Sequence, residues 1–194
     1  MRRSLAIAAT TALLLGSVAC DAAPSAPENF GVVIPNGIYR GSQPSSAELK
    51  YLRELGVRTI VKLNHSRLEE ERKEAERLGM KLVSLPLDAS SVGEPATCGD
   101  VATAVALLSD RSLWPVYVHC SRGRDRAGYV VGAYRERVEH APWSSVDKEL
   151  ARYGHGASMR MAYPQISREL KGGLPACSDE IVKALSRLAR PAAD

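Results

Sequence analysis

The chain has 194 residues, 45% of them hydrophobic and 25% charged, which is enough apolar material for one soluble domain with a sizeable core and excludes a disordered or collagen-like chain. Its 26 basic and 22 acidic side chains leave a net charge of +4, so no broad nucleic-acid-binding field exists and any cationic site must be local. Four cysteines are too few for a fold built on disulfides.

Residues 1–20 start Met1-Arg2-Arg3, run through an Ala/Leu/Ile stretch to Leu15 and end Gly16-Ser17-Val18-Ala19-Cys20. A charged start, a short apolar middle and small residues before a cleavage point follow the plan of a secretory signal. The apolar run is shorter than the about 20 residues of a membrane span. Ala19-Cys20 is similar to a lipoprotein processing site. The expectation is therefore an exported protein, periplasmic or at the cell surface, with a lipid on Cys20 attaching it to the membrane. Residues 21–28, rich in Pro and Ala, suit a tether, and residues 29–194 read as a single domain.

Ser45 with Glu48 forms a capping box, Leu49, Leu52 and Leu55 line one face of the helix that follows, and Gly56 ends it. Residues 57–63 read as a strand. Residues 67–78 form a charged helix, with Glu69 and Lys73 at i,i+4 on a solvated face, closed by Gly79. Residues 80–87 are a second strand. Thr97 and Asp100 open a helix to Leu108 that turns Val101, Val105 and Leu108 inward. Residues 115–119 form a short apolar strand running straight into Cys120, followed by a helix over about 126–140, a helix opened by Ser144 or Ser145, and a last one opened by Ser178 with Ile181, Val182, Leu185 and Leu188 inward. Strands separated by helices imply an α/β fold, a mainly parallel twisted sheet with helices on both faces.

The chemistry concentrates in His119-Cys120-Ser121-Arg122-Gly123-Arg124-Asp125-Arg126-Ala127-Gly128, between a buried strand and a helix. A loop so placed turns several N–H groups inward at the positive end of a helix dipole and makes an anion cradle, with Cys120 at its floor. The dipole and the arginines favour thiolate over thiol, which makes the sulfur a nucleophile near neutral pH. Arg126, six residues on, can hold two oxygens of a phosphate in a bidentate fork, which a lysine cannot match. An inert buried thiol is the ordinary reading of a lone cysteine, but three arginines and a glycine around it count against that. His65, His140 and His155 lack ligand spacing, and no metal or other cofactor is implied.

The run Cys-x5-Arg preceded by His, on a strand-loop-helix, resembles the signature of the protein tyrosine phosphatase superfamily in its dual-specificity branch. The resemblance extends over roughly residues 29–165, through Ile38-Tyr39-Arg40-Gly41-Ser42-Gln43-Pro44, Leu85-Pro86-Leu87-Asp88 and Tyr129 to Arg135. It is nearest to the compact bacterial, fungal and plant members. It implies a cysteine-phosphatase fold, Cys120 as nucleophile, Arg126 as phosphate clamp, His119 as a hydrogen-bonding support, and a loop of Ser121, Arg122, Gly123, Arg124 and Asp125 that binds substrate together with His119. The implied substrates are phosphotyrosine-type proteins, phosphoinositides or inositol polyphosphates, taken by a monomer with no nucleic-acid partner.

A phosphomonoester also needs a proton for its leaving oxygen. Asp88, just past a strand and 32 residues before Cys120, lies at the sheet edge where ligands meet strand ends and where the family keeps its acid, with Glu94 as substitute. The same edge rule places Asn64, His65 and Arg67 near the pocket wall. Two features depart from the family. Ala127 stands where the family carries a Ser or Thr whose hydroxyl helps the thiolate leave, and Arg122 and Arg124 add cations that suit a substrate with more than one phosphate. Three other readings stay open: a rhodanese-type sulfurtransferase, whose loop is typically shorter; an arsenate reductase, which needs Cys98 or Cys177 within reach of Cys120; and a phosphate-binding module without turnover. Cys98 and Cys177 could instead pair with each other.

Overall fold

A computed structural model describes residues 25–87, 97–155 and 177–188. The expected signal segment, Cys20, Asp88 and Glu94 lie outside the described residues. In chain order the elements are β1 (Gly31–Ile34), β2 (Ile38–Ser42), α1 (Ser46–Glu54), β3 (Thr59–Lys62), α2 (Leu68–Arg77), β4 (Lys81–Ser84), α3 (Cys98–Ser109), β5 (Val116–Cys120), α4 (Asp125–Arg137), α5 (Trp143–Arg152) and α6 (Ser178–Leu188).

The five strands form one sheet in the order β1-β2-β5-β3-β4. Among the described residues the β1/β2 pair is antiparallel, and β2/β5, β5/β3 and β3/β4 are parallel. The chain thus has the α/β, mostly parallel fold with helices on both faces that its strand–helix alternation implies. The β1/β2 hairpin is an addition to the elements read from the sequence.

β5 is central, and its side chains alternate between the two layers. Val116, Val118 and Cys120 join the apolar cluster of α3, α4, α5 and α6. Tyr117 joins the cluster of α1 and α2, which includes Leu49, Leu52, Ile60 and Ala75. A strand buried on both faces ends, therefore, with its last residue at the carboxyl edge of the sheet, where α4 begins.

Both expected capping boxes form. The Ser45 N–H donates to Glu48 Oε2 at 2.7 Å and the Glu48 N–H to Ser45 Oγ at 3.3 Å; Thr97 and Asp100 make the same reciprocal pair at 2.8 and 3.2 Å. Other details differ. α5 starts at Trp143 after Pro142, and Ser145 donates its hydroxyl to the Pro142 carbonyl rather than capping the helix. In α6 Ile181 is buried, but Val182 is 62% and Leu188 46% exposed, because Val182 stands about 100° round the helix from Ile181 and Leu188 is the final residue. Leu55 is likewise at the surface, as the C-cap of α1. The face of α2 is not solely a solvated one: Glu69 approaches Arg72 at 3.8 Å, and Glu71 is buried. Cys98 and Cys177 are joined by a disulfide that ties the start of α3 to the residue preceding α6.

Candidate active site

Cys120 is the last residue of β5 and 3% exposed. Residues 121–124 carry the chain from there into α4. Gly123 has φ +68°, and a Cβ there would run into the backbone of Gly41 and Ser42, so both conformation and space demand glycine.

The loop carbonyls are held from outside, one after another. Ser121 O accepts from the Gln43 N–H at 3.4 Å, Arg122 O from Asn29 Nδ2 at 2.9 Å and Gly123 O from Arg40 Nη2 at 2.8 Å. Arg124 O accepts from the Gly128 N–H at 3.1 Å. In a planar trans peptide the N–H points opposite to the C=O. With these four carbonyls held by their partners, the N–H groups of residues 122–125 are directed away from those partners. The partners are Arg40 on β2, Gln43 just after it, Asn29 before β1 and Gly128 in the first turn of α4, and a loop held in this way can cradle an anion.

Arg126 reaches back over the loop. Its Nη1 donates to Leu63 O at 3.1 Å and its Nη2 to Ser121 Oγ at 3.2 Å, so the guanidinium spans from the end of β3 to the residue after Cys120. Ala127, fully buried behind it, offers no hydroxyl.

Below the loop lies a buried polar cluster. His119 and Lys62 are both fully buried and face each other across the β3/β5 register. Glu71 of α2 lies between them, its Oε1 2.7 Å from His119 Nε2 and its Oε2 2.6 Å from Lys62 Nζ. Gln43 Nε2 donates to Glu71 Oε2 at 2.8 Å. Burial alone would push the Glu71 carboxyl up, but the hydrogen bonds and charge of His119 and Lys62 hold it below its ordinary value. Burial pushes both the His119 imidazole and the Lys62 ammonium down, against the pull of Glu71. His119 stacks on Tyr117 with ring centroids 5.7 Å apart. It belongs with the supports under the loop.

The remaining predicted residues separate. Ser121 and Arg122 are exposed. Arg124 turns aside, its Nη2 3.2 Å from Glu28 Oε1. Asp125 opens α4 with Oδ1 3.5 Å from His155 Nδ1; burial pushes its carboxyl up and the His155 imidazole down. Asn64 is buried, donating to Ser66 Oγ at 2.6 Å and Gln43 Oε1 at 3.0 Å, whereas His65 and Arg67 are exposed. Among the described residues Cys120 is the one free thiol, because Cys98 and Cys177 are bonded to each other. Sequence reasoning assigned no role to Asn29, Arg40, Gln43, Lys62 or Glu71. The polar run Arg40 to Gln43 beside an apolar strand, and an acidic residue on the inner stripe of α2, were the available signals.

Residues 25–165 match the family model described as "Tyrosine phosphatase family". The chain is 32% identical over 125 residues to the inositol diphosphatase DSP3 of Arabidopsis thaliana, covering 63% of this chain and 61% of that relative. Among solved structures it is similar to the core catalytic domain of the PP-IP phosphatase SIW14 from S. cerevisiae in complex with citrate (TM-score 0.68, 22% identity, 84% of this chain and 94% of that one). It is also similar to a Cys→Ser variant of P. aeruginosa TpbA in complex with pTyr (TM-score 0.63, 21% identity, 84% and 91%). With the sheet, the Cys-x5-Arg loop and a family match over most of its length in accord, the chain belongs to the tyrosine phosphatase family and is a cysteine phosphatase.

Proposed function

We propose that the protein hydrolyses phosphomonoesters in two steps through a phosphocysteine. The Cys120 thiolate attacks phosphorus, the bond to the leaving oxygen breaks, and Asp88 gives that oxygen its proton. Water then attacks the thiophosphate, Asp88 takes up a proton of that water, and phosphate departs as the thiolate is restored. The N–H groups of residues 122–125 and the Arg126 fork hold the three non-bridging oxygens throughout. The observation carrying this reading is the anchoring of four successive loop carbonyls around a buried cysteine.

The cations of the loop support a substrate class. Arg122 is the exposed cation there, while Arg124 is turned to Glu28, so one arginine rather than two is free to meet a second phosphate. That supports a substrate with more than one phosphate, a phosphoinositide or an inositol polyphosphate, with phosphotyrosine-type proteins as the single-phosphate class the same loop can take. Turnover of a panel of phosphotyrosine peptides, phosphoinositides and inositol phosphates tests it: hydrolysis of at least one class, lost in Cys120→Ser, is the expected result, and binding without any hydrolysis would identify a binding module. The signal-like residues 1–20 and the Cys98–Cys177 disulfide together favour export to an oxidising compartment, as a monomer attached through a lipid on Cys20.

Asp88→Asn is expected to slow alkyl phosphates far more than aryl phosphates with good leaving groups, since only poor leaving groups need the proton. Steady-state rates on both substrate types check this, and equal losses would transfer the role to Glu94.

Ala127 shapes the second step. A hydroxyl there would donate to the departing sulfur, and a hydrogen bond to a charged group is worth about 1.5–3 kcal/mol, or about tenfold to a hundredfold in rate. Phosphoenzyme should therefore accumulate, giving a burst of phenolate in rapid mixing, and Ala127→Ser should raise the slow phase. No burst, and no gain in Ala127→Ser, would show that the missing hydroxyl does not limit turnover.

A further inference from the structure

Arg40 is fully buried, in the middle of β2, where a charged guanidinium is costly unless what surrounds it compensates. Its surroundings are unusual. Nη2 donates to Gly123 O at 2.8 Å and lies 3.4 Å from Arg124 O. The guanidinium carbon stands 4.0 Å above the centre of the Tyr153 ring, and Nη1 is 3.9 Å from Glu149 Oε1. Among the described residues Nε and Nη1 have no hydrogen-bond partner. Glu149 is itself shared, since its Oε2 accepts from Arg135 Nε at 3.0 Å. Arg135 is paired in turn with Glu139 Oε2 at 2.7 Å, so two arginines and two glutamates share one ion-pair network, and within it the Arg40 guanidinium, 3.9 Å from its carboxylate, lies behind the loop within electrostatic reach of Cys120.

The neighbouring elements leave a slot for this group. A Cβ on Gly128, in the first turn of α4, would approach Arg40 Nη2 to 3.4 Å and Leu150 Cδ2 to 3.0 Å. A Cβ on Gly31 would run into the Tyr153 hydroxyl that closes the other side. Two glycines on two elements thus make room for one cation and the ring on which it rests.

We propose that Arg40 is a positioning residue of the active site, a buried cation that binds the rear carbonyls of the loop and strengthens the loop's grip on an oxyanion. Its Nη2 donates to the carbonyls of Gly123 and Arg124, whose peptides carry the N–H groups of Arg124 and Asp125. A donor on the carbonyl of a peptide polarises the N–H of the same unit, so a charge at the rear makes those amides better donors at the front. The charge of Arg40, within electrostatic reach of Cys120, also favours an anion held by the loop in a medium of low dielectric. This inference rests on the proposed phosphatase reading of the site and names a residue through which that site works.

The test measures inorganic phosphate binding by calorimetry in a Cys120→Ser background, and the pH midpoint of Cys120 alkylation by iodoacetamide in the native thiol. Both are read in Arg40→Gln, in Arg40→Lys and in Leu49→Ala, a cavity variant in the opposite apolar layer that controls for lost stability. Arg40→Gln should weaken phosphate binding about tenfold to a hundredfold and move the alkylation midpoint upward. Arg40→Lys, which keeps the charge but not the planar guanidinium that carries Nη2 to the two carbonyls, should fall between Arg40→Gln and wild type, and it carries the test if Arg40→Gln does not fold. Leu49→Ala should leave both quantities unchanged. The proposal is overturned if the Arg40 variants bind phosphate as wild type does, or if Leu49→Ala weakens binding as much as they do. Failure of the phosphatase reading looks different: the unsubstituted protein would then neither bind phosphate nor alkylate more readily than an ordinary thiol.

Discussion

Cys120→Ser is expected to lower hydrolysis of an aryl phosphate by several orders of magnitude while leaving phosphate binding largely intact. The loss follows from chemistry: a serine hydroxyl is far less acidic than a thiol and supplies almost no anionic nucleophile near neutral pH, so the covalent first step is closed. Retention of binding follows from structure. Partners at Asn29, Arg40, Gln43 and Gly128 hold the loop carbonyls, and Arg126 is held by Leu63 O and by the side chain of Ser121. None of these bonds uses the sulfur. Residual activity within about tenfold of wild type would exclude a thiolate mechanism, since removal of a covalent nucleophile should cost far more than that.

Glu71→Ala is expected to destabilise the fold by about 3–5 kcal/mol, the usual cost of breaking a buried pair by removing one partner. The substitution strands the Lys62 ammonium and the His119 imidazole in a fully buried space. Chemical denaturation measures the loss. A double replacement, Lys62→Met with Glu71→Leu, should recover much of it, because removing both charges leaves neither unpaired. If Glu71→Ala costs less than about 1 kcal/mol, the cluster does not hold the loop's base.

The same cluster fixes the direction of the pH dependence. Glu71 and His119 both sit below their ordinary values of 4.5 and 6.5 in the folded chain, so the unfolded chain binds more protons through that range. Their contribution is complete above about pH 6.5 and is lost as pH falls, first through His119 and then through Glu71. Denaturation midpoints that rise on acidification from pH 7 to 5 would contradict this assignment.

How legible these features were in the sequence depended on the range of the interactions. The caps of α1 and α3 rest on residues three apart, and both were readable. So was the loop, because strand, cysteine, glycine and arginine are contiguous and the physics of an anion cradle acts within that span. The supports were not readable. Arg40 lies 83 residues from the carbonyl it binds and Asn29 lies 93 from its own; Glu71 stands in a helix whose composition is that of a solvated face. Only the tertiary fold, with β2 beside β5 and α2 across the sheet, shows that these charges are structural supports. Val182 went the other way, an apolar residue whose helical spacing promised burial and whose position on the flank of α6 exposes it.

The central claim is that phosphate passes through a covalent bond to Cys120. Rapid acid quenching during turnover of a phosphomonoester, followed by proteolysis and mass spectrometry, tests it most directly. The account predicts a phosphate on the peptide that carries Cys120, located on the sulfur, present early in the reaction, removed by treatment that cleaves thiophosphates and absent from Cys120→Ser. Continued turnover with no modified peptide at any time, or phosphate found on a different residue, would contradict it.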